Sequence, residues 1–570
     1  MHQHNGVQSP DGQSNPWIIL VVVCLGFFLV SLDTSIVNIA IPTILTNLQA
    51  SLDQLLWVVN AYLIIFTALL IVSGRLGDLI GQRLMLLLGI VLFLAASAGA
   101  GLAQNGTQLI AARIVQGVGA AFLTPQTLSI IFMTFKREKL GAAFGIYGAI
   151  TGFASVLGPT VGGSIVTAFG WRWIFFINIP FGIITILLIL WLVPEMKAPR
   201  THHLDIAGTA LATLSLLTIA FGLIEGPRYG WGTVFSFVTI PEIIVVGVLL
   251  GIAFVLVERV QREPLVPLRL FADRNYSLSN VVSAALFFSQ FGLAISAVLY
   301  LQSVLSLTPL QAGLIYFPLG LLSMMAAPVS GLLSSRVGGK WLVMLGLSLY
   351  ALAILALALF ARVNTAWWML VPIFALGGIG AGCTFPPLFE ISLRNLDKSL
   401  AGAASGVMNT TRQLGGVLGS AIIGAILQSF LAASLISEAA ARAGQLPASL
   451  HTSFINAVSQ VAAKGLQIGS PEGGVSFPAP AGLAQQVQEL YHQVFIHAYV
   501  QAMQPTLIVP VIVLLLCALA CLTIQPAKDG SKAGGHFMFG PPEDEVEITP
   551  PSSLAEDELG DKQKVQVEGD

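Results

Sequence analysis

Runs of about 20 mostly apolar residues, long enough to cross a hydrocarbon core as a helix, recur along the whole chain, separated by short polar stretches. Fourteen such runs start near residues 17, 55, 84, 107, 141, 174, 207, 236, 278, 309, 341, 366, 401 and 503. The pattern predicts an all-α membrane protein with 14 transmembrane helices. The first run begins at Trp17, is longer than a signal-peptide core and lacks a small-residue cleavage site, so it is expected to stay in the mature chain.

The pattern also repeats internally. Gly141-Ala142-Ala143-Phe144-Gly145, Val156-Leu157-Gly158 and Gly163 return 261 residues later as Gly402-Ala403-Ala404-Ser405-Gly406, Val417-Leu418-Gly419 and Gly424. At the same offset Gly117, Gly119, Ala120 and Pro125 reappear as Gly378, Gly380, Ala381 and Pro386. Parallel repeats of hydrophobic segments build many secondary transporters. The expected plan is two pseudo-repeated six-helix bundles plus two inserted helices. It divides into an N-tail at 1–16, a first bundle at 17–193, a linker with two inserted spans at 194–275, a second bundle at 276–525 and an acidic tail at 526–570. The copies are not equivalent, since Ser420 stands where the first has Pro159.

Between the last two spans, 434–502 is too long for a simple outer connection. Leu450, Phe454, Ala457, Val458 and Val461, then Leu483, Val487, Leu490, Tyr491, Val494 and Phe495, are spaced as on amphipathic helices. Such helices can cap the outer mouth, lie on the membrane or meet a partner such as a periplasmic adaptor; a lid packed on its own bundle is the commonest outcome. The tail carries eleven acids and four lysines, a composition that suits disorder.

Composition agrees with a bilayer environment: 55% of the residues are hydrophobic, 9% are charged and the mean hydropathy is +0.84. Charge adds orientation. With both termini inside, the inner loops hold fifteen basic residues, the short outer loops only Arg172, Arg228 and Arg362. Basic residues mark the cytoplasmic side, so the chain is expected to be multi-pass in a bacterial cytoplasmic membrane with both termini cytosolic. The four cysteines fall in predicted spans and read as packing residues. The histidines lie outside the spans or at their margins, which argues against a metal site, and no G-x-x-x-x-G-K-[ST] loop is present. No enzyme activity, cofactor, metal or nucleic-acid partner is expected, and uphill work must draw on an ion gradient.

Few residues can couple such a gradient, because an ionisable side chain at membrane depth costs about 3 kcal/mol or more. Asp33 in span 1 and Arg113 in span 4 lie at matching depths, each about 10 Å from the outer ends of their spans at 1.5 Å per residue. An Asp beside an Arg stays ionised and one parted from it takes up a proton, so motion between them makes a proton switch; the alternative is a permanent pair that ties the helices together. Arg412, beside Gln413, falls near mid-membrane in span 13 and should face the cavity, to meet either an anionic or carbonyl-bearing substrate or a carboxylate of the protein. Glu242 is expected at a helix end, where it can reach the headgroups, and Glu390 at the cytosolic mouth. Helix 10 places Phe317 and Met324 where a dication site would need an acid.

Four stretches carry a family resemblance. Leu32-Asp33-Thr34-Ser35-Ile36-Val37-Asn38-Ile39-Ala40-Ile41-Pro42, Gly74-Arg75-Leu76-Gly77-Asp78-Leu79-Ile80-Gly81-Gln82-Arg83, Arg113-Ile114-Val115-Gln116-Gly117 and Gly158-Pro159-Thr160-Val161-Gly162-Gly163 resemble, in order, the motifs of the fourteen-helix drug:proton antiporters of the major facilitator superfamily. The likeness spans residues 17–525. It departs at Ser35, Ile41, Leu79, Gln82 and Ala154.

The resemblance implies a multidrug efflux permease that exchanges protons for lipophilic, neutral or monovalent compounds by alternating access. It assigns proton coupling to Asp33 and Arg113. Gating is expected at Gly74, Asp78, Gly81, Arg83, Gly158, Pro159, Gly162 and Gly163; the substrate cavity is expected at Asn38 and Gln116 and, from their depth in span 13, at Arg412 and Gln413. Glycines let backbones approach and a proline permits bending, so the Gly158 stretch is the expected seam between the halves. Asp78 is the expected inner latch, set against the helix N-terminus near Ser399 to Gly402. A metabolite importer or facilitator on the same fold, and a scaffold or sensor that has lost transport, are the other readings.

Overall fold

The computed structural model describes residues 15–135, 137–195, 206–235, 237–261, 268–394, 401–463 and 483–525, with some helical side chains, including those of Arg75 and Asp78, outside the described set. The acidic tail, most of the first charged linker and the proposed Asp78 latch therefore fall outside the described residues.

Sixteen α-helices account for nearly all of the described chain. The first half comprises α1 (Pro16–Leu48), α2 (Leu52–Ile80), α3 (Gln82–Gly101), α4 (Gly106–Thr134), α5 (Arg137–Phe169), α6 (Trp173–Phe176) and α7 (Asn178–Leu192). A pair, α8 (Ile206–Glu225) and α9 (Ile240–Val260), follows. The second half comprises α10 (Arg274–Leu299), α11 (Pro309–Leu333), α12 (Gly339–Phe360), α13 (Val371–Leu393), α14 (Ala401–Arg442), α15 (Ala448–Ala463) and α16 (Ala484–Ala520). Starts carry local signals. Asn15 accepts from Trp17 N–H at 3.0 Å ahead of Pro16, and Thr308 forms a capping box with Gln311 ahead of Pro309.

Among the described residues, 12 helices are long and apolar enough to cross a membrane. Shorter apolar stretches, Gln54–Leu70 and Leu157–Phe169, lie within α2 and α5. The run expected near 236 begins instead at Ile240, after a two-strand turn of Thr233–Phe235 with Val238–Thr239. Within the stretch expected outside the membrane, 434–502, the chain is helical where described: α14 runs on to Arg442, α15 covers Ala448–Ala463 and α16 starts at Ala484. Glu438 and Arg442, at 2.7 Å, and Gln501 donating to Glu438, also at 2.7 Å, tie these extensions together.

Large apolar side chains cover the outside, among them Leu187 at 61% exposure, Leu256 at 55% and Leu516 at 60%. In water such a surface would aggregate; against lipid tails it carries no penalty. The helix pairs of one half recur in the other: α3 with α4 and α12 with α13, α2 with α4 and α11 with α13, α1 with α5 and α10 with α14. The sequence repeat reappears at atomic detail. A Cβ on Gly74 would meet Pro125 Cβ at 3.6 Å, and one on Gly331 would meet Pro386 Cβ at 3.6 Å. Gly81 and Gly338 occupy the matching reversals with φ of +107° and +94°, a conformation that side chains resist.

Candidate functional site

The halves meet most closely through two symmetric contacts, α5 on α11 and α2 on α14. At the first, a Cβ on Gly163 would stand 2.5 Å from Pro309 O, and one on Gly313 would stand 2.2 Å from Pro159 O. At the second, Ser420 Oγ donates to Asn60 Oδ1 at 2.5 Å, and a Cβ on Gly424 would meet Leu56 Cδ2 at 2.6 Å. Gln302 Nε2 donates to Ile39 O at 2.8 Å, and Leu310 N–H to Thr167 Oγ1 at 3.1 Å. All these residues belong to the end of the bundle that carries the α1–α2 connection.

The expected seam needs correction. Gly158 and Gly162 face α1 of their own half, where added Cβ atoms would strike Ser35 and Ile36. Within the Gly158–Gly163 stretch, Gly163 and the carbonyl of Pro159 reach α11 of the other half. Gly74 packs beside Pro125 and Gly81 turns the chain into α3, while the Arg83 guanidinium donates to Leu190 O on α7.

Asp33 and Arg113 come together as their depths predict. The carboxylate is 0% and the arginine 2% exposed, and Arg113 Nη1 contacts Asp33 Oδ2 at 2.5 Å. Arg113 also donates from Nε to Val58 O at 3.2 Å and from Nη1 to Gln116 Oε1 at 2.8 Å, and its guanidinium lies 4.1 Å from the Tyr62 ring centroid. Gln116 Nε2 donates to Asp33 Oδ1 at 2.9 Å. Gln116, expected in the cavity lining, is thus part of the carboxylate's own shell.

Sequence reasoning missed Asn178 and Ser97. Asn178 Nδ2 donates to Asp33 Oδ1 at 3.3 Å and to Ser97 Oγ at 3.0 Å, and Ser97 donates to Phe175 O at 2.9 Å. Helices α1, α3, α4 and α7 therefore converge on one carboxylate, with the break at Ile177 between α6 and α7 bringing Asn178 inward. Asn178-Ile179-Pro180 reads as a helix start, yet an Asn inside an apolar run is itself a signal.

Beside this network a cavity of about 10 Å³ is lined by Thr34, Asn38, Tyr62, Arg113 and, from the second half, Phe291, which is room for roughly one water. Arg412 and Gln413 stand apart on α14, with the Arg412 guanidinium against the rings of Phe287 and Phe385 at 4.8 and 5.2 Å. Glu242 caps α9, accepting from Thr239 N–H at 2.7 Å, and Glu390 is held by Ser334 and Arg394.

The arrangement is a polar knot of one ion pair and two amides in the apolar first half of the bundle. The Major Facilitator Superfamily profile matches residues 23–420. An uncharacterized MFS-type transporter of Mycobacterium tuberculosis is 38% identical over 457 residues, covering 78% of each chain. The multidrug resistance protein Stp of Mycobacterium tuberculosis strain CDC 1551 is 32% identical over 420 residues, 73% of this chain and 77% of that one. A bacterial homolog of the human lysosomal transporter Spinster, solved inward-facing and occupied, superposes with a TM-score of 0.60 at 16% identity, covering 89% of this chain and 98% of the other. With its paired helical halves, buried ion pair and apolar exterior, the chain is a multi-pass membrane protein that belongs to the Major Facilitator Superfamily.

Proposed function

We propose that the protein is a proton-coupled antiporter that exports lipophilic, neutral or monovalent compounds by alternating access. The observation that carries this reading is the Asp33–Arg113 pair at 2.5 Å, buried in the first half beside a cavity that Phe291 of the second half also lines, and shared with Gln116 and Asn178. An ionisable side chain at membrane depth is costly and marks a functional site, and this one is held by an arginine and two amides that a rearrangement can withdraw. Drug-resistance relatives such as Stp support export as the direction.

With α2 and α5 counted as spanning, the chain crosses fourteen times, with α8 and α9 inserted between the halves. An even number places both termini on one side, and the basic-residue partition makes that side the cytosol. The close α5–α11 and α2–α14 contacts then lie at the outer face, so this conformer is closed outward. Energetics allow the cycle: at about 150 mV one inward proton releases roughly 3.5 kcal/mol, and a hundredfold gradient of a neutral compound needs about 2.7 kcal/mol.

Inverted membrane vesicles energised with an imposed pH gradient provide the test. Uptake of a lipophilic dye by the wild type and its loss in Asp33→Asn, in a variant that still folds and inserts into the membrane, are the expected results. Full uptake in Asp33→Asn would remove the carboxylate from the coupling.

A further inference from the structure

Arg412 lies about 17 Å along α14 from Ala401 at 1.5 Å per residue. Its surroundings are unlike those of the other intramembrane arginine. Arg113 has a carboxylate, a glutamine and a backbone carbonyl around it. The Arg412 guanidinium instead lies against two aromatic rings of α10 and α13, and its Nε is buried without a hydrogen-bond partner. Among the described residues no carboxylate pairs with it. Glu390, the acid on the same helix as Phe385, is engaged by Ser334 and Arg394. From the first half, α2 packs on α14 and α1 touches α10. Arg412 therefore sits where helices of both halves face one another.

A guanidinium in a low-dielectric site without a counter-charge attracts an anion strongly. Its planar fork matches an oxyanion in a bidentate fashion. The rings of Phe287 and Phe385 hold the fork in place and present aromatic surface beside it. We infer that Arg412 is an anion-recognition group of the transport chamber and that the preferred substrates are planar aromatic monoanions, carrying an ionised carboxylate or an acidic phenol. The inference rests on the exporter reading and specifies the substrate class of that chamber. Phe287 and Phe385 supply the stacking surface; Arg412 supplies the charge that rejects organic cations.

The test is equilibrium binding of tritiated 2-naphthoate to the purified full chain in detergent, with no gradient applied. Unlabelled 2-naphthoate is expected to compete at least tenfold better than methyl 2-naphthoate or 2-naphthylmethylammonium. Arg412→Gln is expected to lose at least tenfold in naphthoate affinity. Arg412→Lys should fall between the two, since it keeps the charge and loses the fork. Equal competition by the ammonium compound, or unchanged naphthoate affinity in folded Arg412→Gln, overturns the inference. If Arg412→Gln does not fold, the wild-type competition and the lysine variant decide the matter. Because no proton flux enters the measurement, an absence of proton-driven uptake in vesicles would strike the exporter reading alone. Proton-driven uptake with no preference for anions would strike this inference alone.

Discussion

Arg113 on α4 and Asp33 on α1 form an ion pair at 2.5 Å with both side chains nearly inaccessible, 2% and 0% exposed. Breaking such a pair from one side leaves an uncompensated buried charge, which typically costs about 3–5 kcal/mol, whereas removing both charges often costs little. Arg113→Met is therefore expected to lower the thermal midpoint sharply, and Asp33→Asn/Arg113→Met to recover much of the loss. A double-mutant cycle read by thermal unfolding in detergent checks this. Additive effects of the two changes would mean that the contact contributes nothing.

Gly163 allows α5 to lie against the backbone of α11 at Pro309. A Cβ there would come within 2.5 Å of a carbonyl oxygen, an overlap that costs about 1–3 kcal/mol to relieve. Gly163→Ala is expected to shift the conformational balance toward separation of this end by on the order of tenfold, at 1.4 kcal/mol per factor of ten. Spin labels on the adjoining ends of α5 and α11 would report it as a longer distance. An unchanged distance distribution would show that α5 and α11 do not form the closed seal.

The two reversals at Gly81 and Gly338 share a positive φ, +107° and +94°. Gly81→Ala and Gly338→Ala should each cost about 1–2 kcal/mol, since an L side chain resists that region. Gly406 sits in α14 with nothing within 4 Å of an added Cβ. Gly406→Ala should stabilise by about 0.5–1 kcal/mol. Thermal midpoints of the three variants check both signs at once.

Glu242 is an ionisable residue within an apolar helix, yet its carboxylate accepts from Thr239 N–H and hydroxyl at 2.7 and 2.9 Å. That is a helix cap. Glu242→Gln is expected to transport at the wild-type rate in the vesicle assay, and loss of coupled uptake would reassign it to the pathway.

Much of the site was legible because polar residues are so scarce in the spans. Asp33 and Arg113 stand out in apolar surroundings, and helical rise alone sets their depths. The tiers behind them were not legible. Asn178 reaches the carboxylate, Ser97 accepts from Asn178 and the Val58 carbonyl accepts from Arg113 only through the packing of α7, α3 and α2 on α1 and α4, and linear spacing carries no information about which helices become neighbours. The Gly158–Gly163 stretch shows the same limit: glycine marks close approach, but which partner approaches is a matter of helix azimuth.

By itself the amino-acid order determined the lipid-solvated helical class, the doubling of the halves and the two ionisable positions of greatest consequence. Each follows from local quantities: run length against bilayer thickness, recurrence at a fixed offset, and the cost of burying charge. Only the tertiary structure decided that Arg113 has a counter-ion while Arg412 has aromatic rings, and that Gly163 rather than Gly158 meets the other half. Those outcomes depend on how helices rotate and dock, and docking is set by contacts between residues tens to hundreds of positions apart.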